Sequence, residues 1–594
     1  MEKVQKTRNK GPACTQCRQL KLKCDSAQTF PAPCTRCTRT GSKCLIDSHF
    51  RREKRQERIE RLEEQLLEAK QKLEGTPRAR EASAPSIGSP EVRHRPSIVE
   101  EDFSTFDFAQ FFEDLQPTTL DDITIQPQTI VELFERYYLY HHSRFPILSS
   151  PSITFRSSRK WPPLFWSIIL VSAKCRQHVA LYSKLSQPLK RLVLSPEYLS
   201  SQSLEMIQAL LLLCTWAGGD DRSWTDLSWT YSGIATHAAL QMGLHRPEYA
   251  NDFIYGSKFD DEIILSRRKA WIACFIENEM ASRRIGVPCT APIDHTILEA
   301  LSSPASTIPV KLKQQLQIAY LSYRTNTTLG NSDLSPAGVL QSSISAIHMF
   351  EKEFSLMEST SGLLWSPHEE VLFLGSKLNL YIYAITSSNV SSTQNGRHSN
   401  VDEFIGPALA TGLKLIDVAN NAEREISSWS VHTKESLIAA TFFLLMLRDS
   451  EHPLVDLAAT RKAIGQAWNT LHACIITEHD YLSRTCTTIS YLSQHPLKRE
   501  GNGFALKTKS RMASSIMWDT IRRLKEHFGL EKPAQSLSER LAAASGQTQT
   551  TPNGTEMQIF PDNLSFDYGG DLIDWDSLFT ELGDFYVPPQ FDES

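Results

Sequence analysis

After Arg540 the chain contains neither lysine nor arginine, although acidic residues continue as far as Glu593. A tail of one charge sign is repelled by nucleic acid phosphates, so it serves another partner or solubility. Long apolar runs are missing too. Met206–Cys214 and Leu437–Leu447 stop well short of the roughly 20 residues needed to cross a bilayer, and no membrane span is expected. The first residues are charged and lack the apolar core of a secretory signal. A reducing compartment is therefore expected, where clustered cysteine points to metal rather than disulfides. No glycine-rich phosphate loop, nucleophile elbow or HExxH pair occurs, and Cys274 and Cys289 have no neighbouring histidine. These absences argue against an enzyme.

A chain of 594 residues exceeds one ordinary hydrophobic core, so several modules are expected. The net charge of -5 conceals a strong polarity. Up to Arg58 there are fifteen Lys or Arg against five Asp or Glu, a head suited to neutralising phosphates. Six of the twelve cysteines fall in that head, and the other six are scattered through apolar or mixed stretches.

Cys14, Cys17, Cys24, Cys34, Cys37 and Cys44 repeat one half-motif: CxxC, six residues, then a third cysteine. Two tetrahedral zinc ions require eight ligand positions, and six thiolates supply them if two bridge both metals. The cage closes without histidine. Between Cys17 and Cys24 lie Arg18, Lys21 and Lys23, and the second half adds Arg36, Arg39 and Lys43. A short helix bearing such cations, with its N-terminus held by metal, suits a phosphate backbone.

Composition divides the rest of the chain. Residues 10–48 form the cysteine head and 55–74 a charged helix. Residues 75–128 are a Pro/Ser-rich linker, expected to be disordered, that ends in the acidic aromatic stretch Glu100 to Asp122. That stretch, with Phe103, Phe106, Phe108, Phe111 and Phe112, suits either a second activating segment or an intramolecular clamp. From 129 to 530 apolar residues recur at steps of three and four, as in Ile130, Leu133, Phe134, Tyr137 and Tyr138. This predicts a large all-helical domain, divisible into two subdomains. Residues 531–594 are an acidic tail expected to be disordered. The expected fold class is mainly α.

The stretch CTQCRQLKLKC followed by PCTRCTRTGSKC resembles the fungal zinc binuclear cluster family of transcription factors. LFERYYLYHHSRFPIL, PLFWSIILVSAK, YSGIATHAALQMGLHRP and RRKAWIACFIENEMASRRIGVP resemble the fungal-specific transcription factor middle domain. The resemblance implies two Zn2+ per chain, bridged by Cys14 and Cys34. It also implies base contact by Lys21 in the major groove of double-stranded DNA and CGG-like half-sites. Leu20 stands where the family usually has a further basic residue. The middle domain would be an all-helical regulator, in some members one that binds a small-molecule effector. His237, His245 and Arg246 are the polar residues there that suit such a pocket, although core packing is the default reading.

Ile59, Leu62, Leu66, Ala69 and Leu73 step by three and four, an apolar seam for a parallel homodimeric coiled coil, with Arg58 and Glu63 at complementary flanking positions. In the tail, Leu572, Trp575, Leu578, Phe579 and Leu582 form a stripe that an induced helix would offer to a coactivator or the general transcription machinery. The sequence thus predicts a nuclear, RNA polymerase II transcription factor, an activator. A repressor with the same head and a zinc-stabilised interaction protein are the alternatives.

Overall fold

The computed structural model describes residues 13–19, 22–29, 31–40 and 43–47, and then 103–528. Within the last span the stretches 104–105, 109–114, 202, 217–226, 255–258, 303–307, 341–342, 388–398, 423–426, 478–479, 498–503 and 505 are left out. Lys21, the seam from Ile59 to Leu73, Phe111, Phe112 and the tail residues Leu572 to Leu582 lie outside the described residues. Two compact units emerge, residues 1–96 and 97–594.

Among its described residues the first unit has three short helices, α1 (Thr15–Gln19), α2 (Ser26–Thr29) and α3 (Thr35–Thr40). The buried cysteines Cys14, Cys17, Cys34 and Cys37 make up its interior, with Cys24 and Cys44 packed against them. A module this small has almost no apolar core, so its stability must come from whatever binds the sulfurs.

In the second unit a hairpin of β1 (Thr118–Leu120) and β2 (Ile123–Ile125), paired antiparallel with Thr119 opposite Thr124, leads into α4 (Pro127–Arg136). Pro127 suits the first helical turn, whose N–H would lack a partner anyway. Ile130, Leu133 and Phe134 face inward, and a π-helical turn, Tyr137–His142, turns Tyr137, Tyr138, His141 and His142 into the core. Among the described residues the α-helices continue with α5 (Pro151–Ser158), α6 (Pro162–Ala173), α7 (Val179–Val193), α8 (Pro196–Leu199), α9 (Leu204–Trp216), α10 (Ser228–Gln241), α11 (Asp261–Ile285) and α12 (His295–Ser302). They continue with α13 (Val310–Gly330), α14 (Ile344–Ser361), α15 (Pro367–Ser387), α16 (Ser399–Asn421), α17 (Val431–Asp449), α18 (Leu457–Ala473), α19 (Tyr481–Gln494) and α20 (Ser515–His527).

The expectation of a linker running through residue 128 is corrected at its far end. Phe108 is buried, and the ring of Phe103 lies 5.0 Å from that of Tyr138 and 5.5 Å from that of His142. Aromatic area this large is more stable against the core than in water, so Phe103, Phe106 and Phe108 pack on it. The second unit also has one continuous core from Phe108 to Leu524, not two.

Helices α6, α9 and α17 are buried nearly all round; α6 and α9 are almost wholly apolar, as such helices usually are, whereas α17 also buries His432, Lys434 and Arg448. The long helix α11 threads among them. Its N-terminus is capped by Asp260, whose carboxylate accepts from the N–H of Ile263 at 2.8 Å, and it ends at Gly286 with φ 77°. A side chain there would be strained by the backbone and would collide with the carbonyl oxygen of Arg511, so glycine is required. Buried charges find partners. Lys269 donates to the Leu148 carbonyl at 2.6 Å, and Arg523 meets Asp519 at 2.7 Å. Glu277 accepts from Thr215 at 2.9 Å and lies 2.8 Å from His432, which ties α11 to both α9 and α17. Among the described residues no helix is long and apolar enough to cross a membrane.

Candidate metal centre and nucleic-acid interface

The six cysteines converge as two overlapping quartets, Cys14, Cys17, Cys24, Cys34 and Cys14, Cys34, Cys37, Cys44. Within each quartet the sulfurs lie within 4.8 Å of one another. Local folding explains the convergence. Cys14 and Cys34 immediately precede α1 and α3, so the CxxC spacing returns Cys17 and Cys37 one turn later on the same side. The third cysteine of each half comes back beyond its helix. There the N–H of Cys14 points at Cys24 Sγ, 3.5 Å away, and the N–H of Cys34 at Cys44 Sγ, 3.3 Å away. The two halves are therefore copies in three dimensions as well as in spacing.

The donor set fits two divalent, thiophilic cations. Cys14 Sγ lies 3.9 Å from Cys34 Sγ and 3.8 Å from Cys37 Sγ, and Cys17 Sγ lies 3.9 Å from Cys34 Sγ. These separations are close to those between ligands on one tetrahedral zinc with Zn–S bonds of about 2.3 Å. The sulfurs oppose one another electrostatically. The Cys34 thiol is drawn down to about 6, chiefly by the N–H of Cys37, whereas the Cys37 thiol is pushed up to about 12, chiefly by the Cys34 sulfur. Burial raises Cys14 and Cys17 above their ordinary range. Zinc supplies the positive charge that lets every sulfur ligate as thiolate.

The two halves are also tied by a residue the sequence reading missed. Asp25 accepts from the N–H of Thr35 at 3.1 Å and from the Thr35 hydroxyl, so a carboxylate from the first half caps the helix of the second. At the corresponding place in α1, Thr15 donates its N–H to the Leu45 carbonyl at 2.8 Å. The signal was present in the sequence, since an Asp directly after the third cysteine sits within reach of the next helix start, but only the fold shows which helix it caps.

The basic residues divide. Arg18 is half-buried and folds back on the chain, donating to the carbonyls of Asp47 and Ala13, each at 3.1 Å. Lys23, Arg39 and Lys43 are exposed and Arg36 is half-buried. In the second unit the three residues singled out for an effector pocket do not converge on one. His237 is exposed, His245 packs its ring 5.4 Å from Phe253 and 5.9 Å from Trp271, and Arg246 pairs with Asp294 at 3.2 Å.

Comparison with known proteins agrees with this arrangement. Residues 12–53 match the fungal Zn(2)-Cys(6) binuclear cluster domain, and residues 134–297 match the fungal specific transcription factor domain. Transcriptional regulatory protein SEF1 of Candida albicans is 22% identical over 86% of this chain and 63% of its own length. Regulatory protein LEU3 of Saccharomyces cerevisiae is 22% identical over 88% of this chain and 71% of its own. A SEF1 protein of Eremothecium gossypii is 20% identical over 92% of the chain and 64% of the relative. The chain thus spans slightly less than two thirds of both SEF1 relatives. A binuclear cluster domain binds two zinc ions, and the six-cysteine cage described above has the donors for both. The chain thus carries a fungal Zn(2)-Cys(6) binuclear cluster domain at its head and a fungal specific transcription factor domain behind it, the pair of domains that the sequence resemblance predicts.

Proposed function

We propose that this chain is a sequence-specific, double-stranded DNA-binding transcription factor that acts in the nucleus on RNA polymerase II genes. The observation that carries the reading is the pair of cysteine quartets sharing Cys14 and Cys34, set among exposed cations on a domain of the zinc-cluster type. In this reading Cys14, Cys17, Cys24, Cys34, Cys37 and Cys44 would together hold the two zinc ions, with Cys14 and Cys34 common to both quartets. Lys21 reads base edges of a CGG-like half-site, lysine being well matched to the O6 and N7 acceptors of guanine. Lys23, Arg36, Arg39 and Lys43 set register and affinity on phosphates. Arg18 acts one step back, holding α1 against the chain on either side through its two carbonyl contacts. The seam from Ile59 to Leu73 pairs two copies, so that two heads address a two-part site.

Binding of the full chain to CGG-containing duplexes tests this division. Lys21→Ala is expected to flatten the preference among half-sites, a loss of about 1–3 kcal/mol of discrimination. Arg39→Ala should weaken all sequences alike and reduce the slope of log affinity against log salt by about 0.9. Identical behaviour of the two variants would defeat the assignment.

The tail is proposed as the activating segment, with Leu572, Trp575, Leu578, Phe579 and Leu582 docking as one face of an induced helix on a coactivator. Its acidic residues keep those side chains solvated until they bind. Residues 555–594 fused to an unrelated DNA-binding domain are expected to raise reporter transcription, and Trp575→Ala with Phe579→Ala should remove most of the gain. A silent fusion would count against activation.

A further inference from the structure

Helix α14 turns Ile347, Phe350 and Phe354 into the core. The opposite face of such a helix ordinarily carries its charges, and here it does not. The three carboxylates of α14 bond sideways. Glu351 accepts from the Tyr381 hydroxyl of α15 at 2.9 Å and Glu353 from Arg324 of α13 at 3.0 Å, while Glu358 accepts from Lys377 of α15 at 2.9 Å and from Lys414 of α16 at 3.1 Å. What faces water is apolar. Met349 is 45% exposed and Leu356 64%, and seven residues further Leu363, in the 3-10 turn Gly362–Leu364, is 99% exposed. The exposed positions between them are Lys352, Ser355, Ser359 and Thr360, one cation and three hydroxyls.

Steps of seven residues keep Met349, Leu356 and Leu363 on one line, about 10 Å apart. Large apolar side chains held in a row in water mark a surface that another chain covers. The spacing selects the occupant, because a row with two equal steps is its own complement. Turned end for end about Leu356, a second copy would lay its Leu363 on Met349, its Leu356 on Leu356 and its Met349 on Leu363, the reciprocal contacts of a two-fold interface. Charge is compatible with this pairing. With the acids engaged sideways no carboxylate meets another across the axis, and Lys352 falls opposite Thr360, not opposite a second lysine. The row is small beside the roughly 800 Å² per partner of a stable free interface, so it needs a tether. Residues 74–102 join the proposed dimer seam to Phe103, and a chain of that length spans at most about 100 Å. Two copies held at the seam would therefore meet at an effective concentration on the order of millimolar.

We propose that two copies of this chain pair antiparallel through α14, with Leu356 on the two-fold axis. The inference rests on the proposed seam for the tether alone and adds a second point of contact, between the regulatory domains of the two copies.

The test is sedimentation equilibrium of the zinc-loaded full chain. Met349→Glu with Leu363→Glu puts like charges face to face at both ends of the row and should weaken dimerisation at least tenfold. Met349→Lys with Leu363→Glu sets opposite charges across the axis twice and should dimerise at least tenfold more tightly than the first variant. The two positions lie about 20 Å apart along the chain's own helix, so they cannot satisfy each other within one copy. Both are exposed, and the urea midpoints of the variants should match that of the parent. Equal dimer affinity in the two variants, lowered or not, would overturn the proposal and assign the row to another occupant, such as the acidic tail or a coactivator. A parent chain that stays monomeric would overturn it as well. Selective binding of the CGG duplex beside either result would leave the DNA-binding reading standing.

Discussion

Removal of zinc from the full chain is expected to lower its affinity for a CGG-containing duplex by about a thousandfold or more, to the level of random DNA. The first unit has cysteines where other small domains have an apolar core, and structural zinc contributes about 10–16 kcal/mol that serves as folding free energy. Without metal, α1 and α3 lose the cage that aligns them, and only non-specific phosphate attraction remains. The two quartets make the expectation finer. Cys34 belongs to both and Cys44 to one, so Cys34→Ser should leave fewer than one zinc per chain and Cys44→Ser about one. Metal content by atomic absorption and binding by titration check both statements. A demetallated chain that still prefers CGG would refute the account of the head.

The second large effect is expected in the regulatory domain. Glu277 is 1% exposed and His432 4%, and they join α11 to α17 across 155 residues of sequence. Glu277→Ala leaves His432 and the Thr215 hydroxyl without their shared acceptor and should cost about 3–5 kcal/mol, as breaking a buried pair from one side generally does. Replacing both partners, Glu277→Leu with His432→Leu, should recover much of that loss, because no buried polar group is then stranded. Urea denaturation of the single and double variants measures the difference. A single variant within about 1 kcal/mol of the parent would show that the pair does not hold these helices together.

Both predictions use chemistry of different legibility. The cage could be read directly, because a metal site made from near neighbours is written as spacing: Cys14 and Cys17 must share one side of a helix whatever the rest of the chain does. Helices such as α4 were legible for the same reason, since Ile130, Leu133 and Phe134 recur at the helical period. The Phe103, Phe106 and Phe108 stretch was ambiguous. Acidic residues with aromatics suit a free activating segment as well as a clamp, and the choice depends on whether Tyr138 and His142 present a surface for those rings.

What the chain determined by itself was its periodicity, its charge polarity and its ligand spacing, because these are local: a turn of helix or a CxxC loop is complete within a few residues. Which buried groups meet was decided only by tertiary packing. Glu277 finds His432, Asp25 caps α3, and Arg283 is left facing serines because helices far apart in sequence come within hydrogen-bonding distance. At that range a difference of an ångström separates an ion pair from a pair of charges that never meet, and sequence carries no such distance.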